Sequence, residues 1–202
     1  TVLFGFILAL FLAICRLSNF KPAKYLATVY VEVIRATPML VQLFIVYNIL
    51  LAGVSLPRFK LFGFIRFERF LPGVIALSLN SGAYLCEIIR SGIQSIDLGQ
   101  TEAARSLGMT QWQNMQLIVL PQAIKNVLPA LANELVTMVK ESSICSMLGM
   151  AEIMFAAKTI AGSTGISLAP YTLAALVYFC INYPASKAIE AIERRMRRGD
   201  KQ

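Results

Sequence analysis

Histidine is absent from all 202 residues of the chain. Its side chain is the one that changes charge near neutral pH, and it is the commonest metal ligand in proteins. General-base catalysis by histidine and metal ligation by histidine are therefore excluded. We predict no catalytic residue and no metal site in this chain.

Cysteine is scarce, and it is not arranged as a motif. Cys15, Cys86, Cys145 and Cys180 stand singly in apolar surroundings, without a CxxC pair or a spacing that suggests zinc. Free cysteine behaves as a small hydrophobic residue and is often buried. We therefore predict that the four thiols are core or lipid-facing residues.

A nucleotide-binding P-loop is also missing, since GxxxxGK[ST] does not occur. ATP and its magnesium ion would have to be bound by another subunit. A membrane-embedded enzyme with Glu87 or Glu141 as the base is disfavoured as well, because no histidine, metal cluster or activated nucleophile accompanies these carboxylates. We predict that the chain is not an enzyme.

Charged residues make up only 15% of the chain, whereas 57% is hydrophobic and the mean hydropathy is +0.65. A helix that crosses the hydrocarbon core needs about 20 mostly apolar residues. We predict an all-α membrane protein with one transmembrane domain over residues 1–202 and no second domain. The expected spans are 1–15, 26–52, 70–90, 124–144 and 168–190, and the first is expected to have lost its N-terminal part.

The basic residues predict how the spans are oriented. When the five spans alternate, most of the 19 Lys and Arg residues fall on the side that holds segments 90–125 and 187–201. The positive-inside rule makes that side cytoplasmic, with the N-terminus outside and the C-terminus inside the plasma membrane of a prokaryote. The net charge of +8 then reflects topology, and no nucleic-acid surface is expected. Membrane lipid is an expected partner of the cluster Arg194, Arg195, Arg197 and Arg198.

Between the third and fourth spans lies a polar loop over residues 97–121. Gln100–Leu107 is compatible with a helix, with Asp97 as its N-cap and Gly108 as its left-handed end. Thr110 and Gln113 have the spacing of a capping box, which starts a second helix. The loop is therefore expected to form a rigid elbow of two short helices.

One edge of this elbow is expected to be small. Ala103 and Ala104 carry little side-chain bulk, so another protein could approach the backbone there, and Glu102 and Arg105 flank the edge with charge. Pro121 is suited to the first turn of the following helix. An ordinary solvated connecting loop is the alternative.

The spacing within the loop carries a family resemblance. Glu102-Ala103-Ala104 is followed by three residues, Gly108, nine residues and Ile118-Val119-Leu120-Pro121. This resembles the EAA loop of ABC importer permeases, whose pattern is EAA-x3-G-x9-I-x-LP. The resemblance implies that the loop docks into a cytoplasmic ATPase subunit. It assigns ATPase coupling to Glu102, Ala103, Ala104, Arg105, Gly108, Leu120 and Pro121.

Further segments narrow the resemblance to permeases of the histidine/glutamine/arginine type, which take up polar amino acids. Arg35–Gln42 reads RATPMLVQ and Ala83–Ile93 reads AYLCEIIRSGI, with Ser91 where glycine is usual. Leu120–Ala123 reads LPQA and Lys140–Ile144 reads KESSI. The segments follow the family's order along the chain.

Charged residues inside or near the spans are expected to be structural or gating. Glu32 with Arg35, and Glu87 with Arg90, are each three residues apart and can pair along one helix face. Pro38 leaves the carbonyl of Ile34 without its helical donor, so a kink is expected between Arg35 and Gln42.

Polar residues in the spans could line a substrate path. An amino acid presents a carboxylate that accepts hydrogen bonds and an ammonium group that donates them, and hydroxyl and amide side chains can serve both. Interhelical hydrogen bonding is the alternative role. The predicted substrate-binding residues are Thr37, Gln42, Asn80, Ser81, Tyr84, Ser142, Ser143 and Ser146.

The substrate itself stays open at this point. A cationic amino acid would favour an acceptor such as Glu152, whereas an anionic one would favour Arg35 or Lys140. Residues 149–162 are expected to form a short outer helix, which either packs against the spans or contacts a substrate-delivering protein.

The resemblance implies a five-transmembrane-helix ABC importer permease fold with a cytoplasmic coupling (EAA) helix pair. It also implies a second permease subunit of the same or a related chain, two cytoplasmic ABC ATPase subunits and an extracytoplasmic solute-binding protein. The substrate would be a polar amino acid, and ATP and Mg would sit on the ATPase. A passive amino acid or ion channel, anchored to a cytoplasmic partner, is the alternative function.

Overall fold

The structure is a computed structural model, and it describes residues 1–54 and 56–198. Helices form most of this part of the chain, and two short strands form a hairpin. The helices are α1 (Val2–Leu17), α2 (Lys21–Ala36), α3 (Met39–Gly53), α4 (Phe67–Gln94), α5 (Leu98–Ser106), α6 (Gln111–Asn114), α7 (Leu120–Glu141), α8 (Ile153–Thr164) and α9 (Leu168–Arg198). The strands are β1 (Lys60–Leu61) and β2 (Ile65–Arg66), a π-helical turn spans Met115–Val119, and a 3-10 helix spans Ser142–Leu148.

Helix α4 is the centre of the fold. It packs against α1, α2, α3 and α7, while α9 packs against α7 and α8. Small residues bring α1 and α4 close together, since a Cβ on Gly82 would lie 2.8 Å from Cδ2 of Leu8. Ala9 and Ala83 are fully buried in the same cluster. Small residues at such contacts allow close van der Waals packing of helices in lipid.

A second cluster joins α3 and α4 to the 3-10 helix. Leu43 and Cys145 are fully buried there, together with Ala76 and Leu148. All four cysteines are free thiols, and Cys86 and Cys145 are buried while Cys180 is exposed. The predicted core position is confirmed for Cys86 and Cys145, and a lipid-facing position for Cys180 stays a prediction.

The predicted span 26–52 consists of two helices in the structure. These are α2 and α3, and the two are bent by 112° at the Thr37–Pro38 break. The expected change of direction is confirmed. It is a full break between two helices and not a kink within one, because both Thr37 and Pro38 adopt extended backbone. Proline disfavours helical conformation in the residue before it, which accounts for the end of α2.

Pro121 lies in the first turn of α7, as the sequence predicts, but α7 is not separated from the elbow. Residues from Gln111 to Leu148 form one helical run of 38 residues, so α6 is the start of a long helix. The π-helical turn lies just before Pro121, and its last bond runs from the amide of Leu120 to the carbonyl of Met115. Such wider turns rearrange the hydrogen bonds of a helix, so the run accommodates a residue without an amide hydrogen.

Two helices in the described part of the chain are long and apolar enough to cross a membrane, namely α4 and the run Gln111–Leu148. The α2–α3 pair makes a third if it counts as one broken span, and α1 is a shorter apolar helix. Five crossing helices stay a prediction. The predicted outer helix 149–162 begins later, at Ile153, and α9 extends past the predicted end of the last span. The side chains of Arg197 and Arg198 in the predicted lipid-binding cluster lie outside the described residues.

Candidate functional site

The first helix of the elbow, α5, is bounded as the sequence predicts. The Asp97 carboxylate accepts a hydrogen bond from the amide of Gly99 at 2.6 Å, which caps the start of the helix. At the other end Gly108 has a φ of 82°, and the amide of Met109 donates to the carbonyl of Ala104 at 3.1 Å. A glycine with positive φ is the usual end of a helix. Both predicted boundaries are confirmed.

The second helix starts with the predicted capping box. The amide of Gln113 donates to Oγ1 of Thr110 at 3.2 Å, and the amide of Thr110 donates to Oε1 of Gln113 at 2.9 Å. A contact that the sequence analysis missed ties the two helices together: Nδ2 of Asn114 donates to Oγ1 of Thr101 at 3.2 Å. Asn114 is only 7% exposed, so this bond is shielded from water. The elbow is fixed at both helix ends and between the helices.

The outward surface of the elbow is apolar to an unusual extent. Leu107 is 83% exposed, Leu98 77% and Trp112 68%. Ala103 is exposed, but Ala104 is 4% exposed and faces its own chain, so the expected two-alanine edge is reduced to one alanine. Exposed apolar patches on this scale mark interaction surfaces. The other predicted coupling residues are exposed too: Glu102, Arg105, Gly108, Leu120 and Pro121.

A charged cluster surrounds Glu87 near the elbow end of α4. Glu87 accepts hydrogen bonds from Arg16 of α1 at 2.6 Å and from Arg90 one helical turn away. Arg35 of α2 approaches the same carboxylate at 3.9 Å. The predicted Glu87–Arg90 pair is confirmed, whereas the partner of Arg35 is Glu87 and not Glu32. Arg16 was missed, because nothing in the sequence relates it to a residue 71 positions away.

Three guanidinium groups around one carboxylate leave a net positive charge in this cluster. Arg35 is the most exposed of the three at 42% of its side chain, and it also lies over the ring of Tyr84, 5.6 Å from the ring centre. Such a contact between a cation and an aromatic ring is attractive. The cluster can hold an anionic group on the Arg35 side.

A second polar group closes the break between α2 and α3. Nε2 of Gln42 lies 2.7 Å from the carbonyl oxygen of Ile34, 3.0 Å from that of Thr37 and 2.8 Å from Oγ1 of Thr37. Nδ2 of Asn80 in turn donates to Oε1 of Gln42 at 2.9 Å. The carbonyl that Pro38 deprives of its helical donor is thus satisfied by a side chain. We call Thr37, Gln42 and Asn80 the amide latch.

The predicted substrate-binding residues are only partly brought together. Thr37, Gln42 and Asn80 share the amide latch, and Tyr84 joins the charged cluster. Oγ of Ser81 is 3.2 Å from Sδ of Met138 in a buried contact, and Ser146 is 5% exposed. Ser142 donates to the carbonyl of Val139 in its own helical run, and Ser143 is half-buried beside it. A substrate role for these eight residues stays a prediction.

Glu152, the acceptor expected for a cationic substrate, already has several partners. Its carboxylate caps α8 by accepting from the amides of Met154, at 2.7 Å, and Phe155. It also accepts from the hydroxyl of Tyr178 on α9 at 2.9 Å. This carboxylate joins two helices in the structure.

Gln42→Leu is expected to lower the free energy of unfolding by about 1–3 kcal/mol, because the buried amide of Asn80 loses its partner and the partly buried carbonyl of Ile34 keeps only the 3.4 Å contact with Oγ1 of Thr37. The measurement is the midpoint of thermal unfolding in detergent. Asn48→Leu is the matched control, since that amide is exposed and bonds only to Phe44 of its own helix. Equal midpoints for the two variants would contradict a stabilising latch.

Comparison with known proteins extends these observations to the whole chain. Residues 2–198 match the family described as binding-protein-dependent transport system inner membrane component. The arginine transport system permease protein ArtQ of Bacillus subtilis (strain 168) is 40% identical over 200 residues, which are 99% of this chain and 87% of that protein. The glutamine transport system permease protein GlnP of Rickettsia felis is 39% identical over 197 residues, 96% of this chain and 85% of that protein. The crystal structure of an amino acid ABC transporter with histidines aligns with a TM-score of 0.86 at 45% identity, covering 96% of this chain and 86% of that chain.

Proposed function

Because this chain belongs to the family of binding-protein-dependent transport system inner membrane components, we propose that it is the transmembrane subunit of an ATP-driven importer for polar amino acids. The chain is a multi-pass membrane protein. In the proposal it crosses the inner membrane of a prokaryote five times, with its N-terminus outside and its C-terminus and elbow in the cytoplasm.

The observation that carries the proposal is the elbow. It combines the complete EAA spacing with two capped helices, a left-handed Gly108 and an exposed apolar surface around Leu107. A rigid, partly apolar projection on a helix pair is suited to insertion into a groove of another protein. We assign the groove to a cytoplasmic ATPase subunit, which binds ATP and Mg. Closure of the ATPase subunits would move the elbow and, with it, the long helix Gln111–Leu148.

The complete importer would hold two permease subunits around a central path, two ATPase subunits and an extracytoplasmic solute-binding protein. Large apolar side chains on α8 and α9 support contact with a second permease subunit or with lipid, since Leu173 is 60% exposed and Ile160 is 49% exposed. Soluble surfaces seldom carry such continuous apolar area.

A polar amino acid is the substrate class that the relatives support, because their names refer to arginine and glutamine. The charged cluster adds a physical reason. An amino acid carboxylate could pair with the exposed side of Arg35, while carbonyl or carboxylate oxygens accept from its ammonium group. Which amino acid is carried then depends on the side-chain contacts and on the binding protein.

A passive channel is the alternative function, and the family does not favour it. The two functions differ in their need for nucleotide. A channel would admit amino acids into liposomes that contain this subunit alone, whereas the importer needs its ATPase, its binding protein and ATP.

The decisive experiment measures ATP hydrolysis by the assembled permease–ATPase complex in nanodiscs, with its binding protein and a panel of amino acids. We expect stimulation by polar amino acids and little response to apolar ones. A complex that hydrolyses ATP but responds equally to every amino acid would remove the substrate assignment and leave the coupling role in place. Uptake by subunit-only liposomes without ATP would overturn the importer itself.

A further inference from the structure

The connection between α3 and α4 has a composition that the proposed transport cycle does not use. Residues 53–67 contain three basic and four phenylalanine side chains and no acidic one. Arg58, Lys60 and Arg66 are all exposed, as are Phe62 and Phe64. Basic and aromatic residues together are characteristic of segments that lie at a membrane surface. The hairpin formed by β1 and β2 presents them as one unit, with Lys60 opposite Arg66.

The tip of the hairpin holds an aromatic residue in a costly conformation. Phe62 has a φ of 50° and Gly63 a φ of 79°, and the amide of Phe64 donates to the carbonyl of Leu61 at 3.2 Å to close the turn. Asparagine or glycine is the usual residue for the position of Phe62. Phe62 is nevertheless 86% exposed, so packing within the chain does not account for a phenylalanine at this position. An apolar environment outside the chain would account for the choice of this residue.

A cavity of about 570 Å³ lies between the base of the hairpin and the end of α3. Its lining includes the apolar side chains of Leu51 and Leu56 and the ring of Tyr47. Four charged residues also line it: Arg58, Arg66, Glu68 and Arg69. Arg69 donates to the carbonyl of Gly149 at 2.9 Å. Arg58 and Arg66 also line the cavity, and among the described residues neither forms an ion pair with a carboxylate. The cavity lining therefore carries an excess of positive charge beside a few apolar side chains.

The hairpin must lie at a membrane surface, since it directly precedes α4, a helix long and apolar enough to cross. We propose that the hairpin binds an anionic phospholipid of the adjacent leaflet. The lipid phosphate occupies the cavity beside Arg58 and Arg66, and Phe62 and Phe64 enter the boundary between head groups and acyl chains. Such a lipid supplies a phosphate charge and an apolar acyl region in one molecule, at the depth where the hairpin lies.

The test uses the complete permease–ATPase complex, reconstituted in mixed phosphatidylcholine and phosphatidylglycerol and then extracted. Mass spectrometry measures the phosphatidylglycerol that stays bound. Arg66→Gln is expected to weaken retention about fivefold, the effect of one basic residue near an anionic surface. Lys158→Gln is the matched control, because Lys158 is an exposed cation on α8, away from the cavity lining. Equal retention by the two variants overturns the phosphate site.

Insertion of the tip is tested separately by fluorescence. Trp112 is the only tryptophan, so Phe62→Trp adds one emitter at the tip, and the native complex provides the baseline. Lipids with brominated chains are expected to quench the added emission. Phe62→Asn, which suits the left-handed turn, should keep the hairpin folded yet lower the retention of phosphatidylglycerol. Unquenched Phe62→Trp emission, or an Arg66→Gln complex that keeps its lipid but loses stimulation by the binding protein, overturns the proposal and makes the hairpin a protein-docking surface.

Discussion

The Ala103→Glu variant is expected to lose at least about 100-fold in ATP-driven amino acid uptake while it still inserts and folds. Ala103 is exposed on α5, so a glutamate there meets no obstacle within the chain. In the proposed complex the same carboxylate would enter the groove of the ATPase, and an unpaired charge buried in an interface costs roughly 3–5 kcal/mol. Uptake by proteoliposomes and co-purification of the ATPase subunit measure the effect.

The matched control for this variant is Ala191→Glu. Ala191 is also an exposed alanine in a helix, and its glutamate would lie one turn before the arginines of α9, which favours it. We expect normal uptake and a normal amount of bound ATPase. Full uptake by Ala103→Glu would contradict the coupling role of the elbow. Loss of uptake by both variants would show that an acidic charge anywhere on that side of the protein is enough to stop uptake, and would also contradict a specific role of the elbow.

Glu87→Gln is expected to destabilise the fold by on the order of 3 kcal/mol. Glu87 is the carboxylate shared by Arg16, Arg35 and Arg90, and the side chains of Glu87 and Arg16 are only 20% and 11% exposed. Removing one partner of a shielded ion pair leaves the other charge uncompensated, and here several guanidinium groups would then repel one another. Thermal unfolding in detergent, followed by the loss of monodisperse protein, reports the change.

Glu190→Gln provides the control for charge removal. Glu190 accepts from Lys187 at 2.8 Å, but both side chains are about half exposed, at 47% and 51%. Exposed ion pairs contribute roughly 0–1 kcal/mol, so this variant should unfold close to the native midpoint. A Glu87→Gln midpoint no lower than that of Glu190→Gln would refute a structural role for the charged cluster.

Local features of the fold were predictable because the residues that form them are close in sequence. Asp97, Gly108 and the Thr110–Gln113 pair act within one or two turns of their own helix, and each has the predicted geometry. The break at Pro38 follows from a single proline, which lacks an amide hydrogen and disfavours helical conformation in the residue before it. In each case the chemistry of a few neighbouring residues decides the backbone.

Long-range contacts were not predictable in this way. Periodicity shows which side of a helix is polar, but it does not show which helix the side meets. Glu32, three residues away, was a plausible partner for Arg35, yet tertiary packing brings Arg35 to Glu87 on another helix. Pro121 lies in the first turn of α7 as expected, but the π-helical turn before it, which joins α7 to α6 in one continuous run, was not predicted.

That continuous run has a mechanical consequence. Thirty-eight residues at 1.5 Å each make a rod of about 57 Å, nearly twice the thickness of the hydrocarbon core. One end is part of the elbow, and the other end carries Cys145 and Leu148 in the core against α3 and α4. If the rod pivots at one end, a tilt of about 10° moves the other by about 10 Å. A small rotation of the elbow is thereby magnified into a displacement as large as an amino acid.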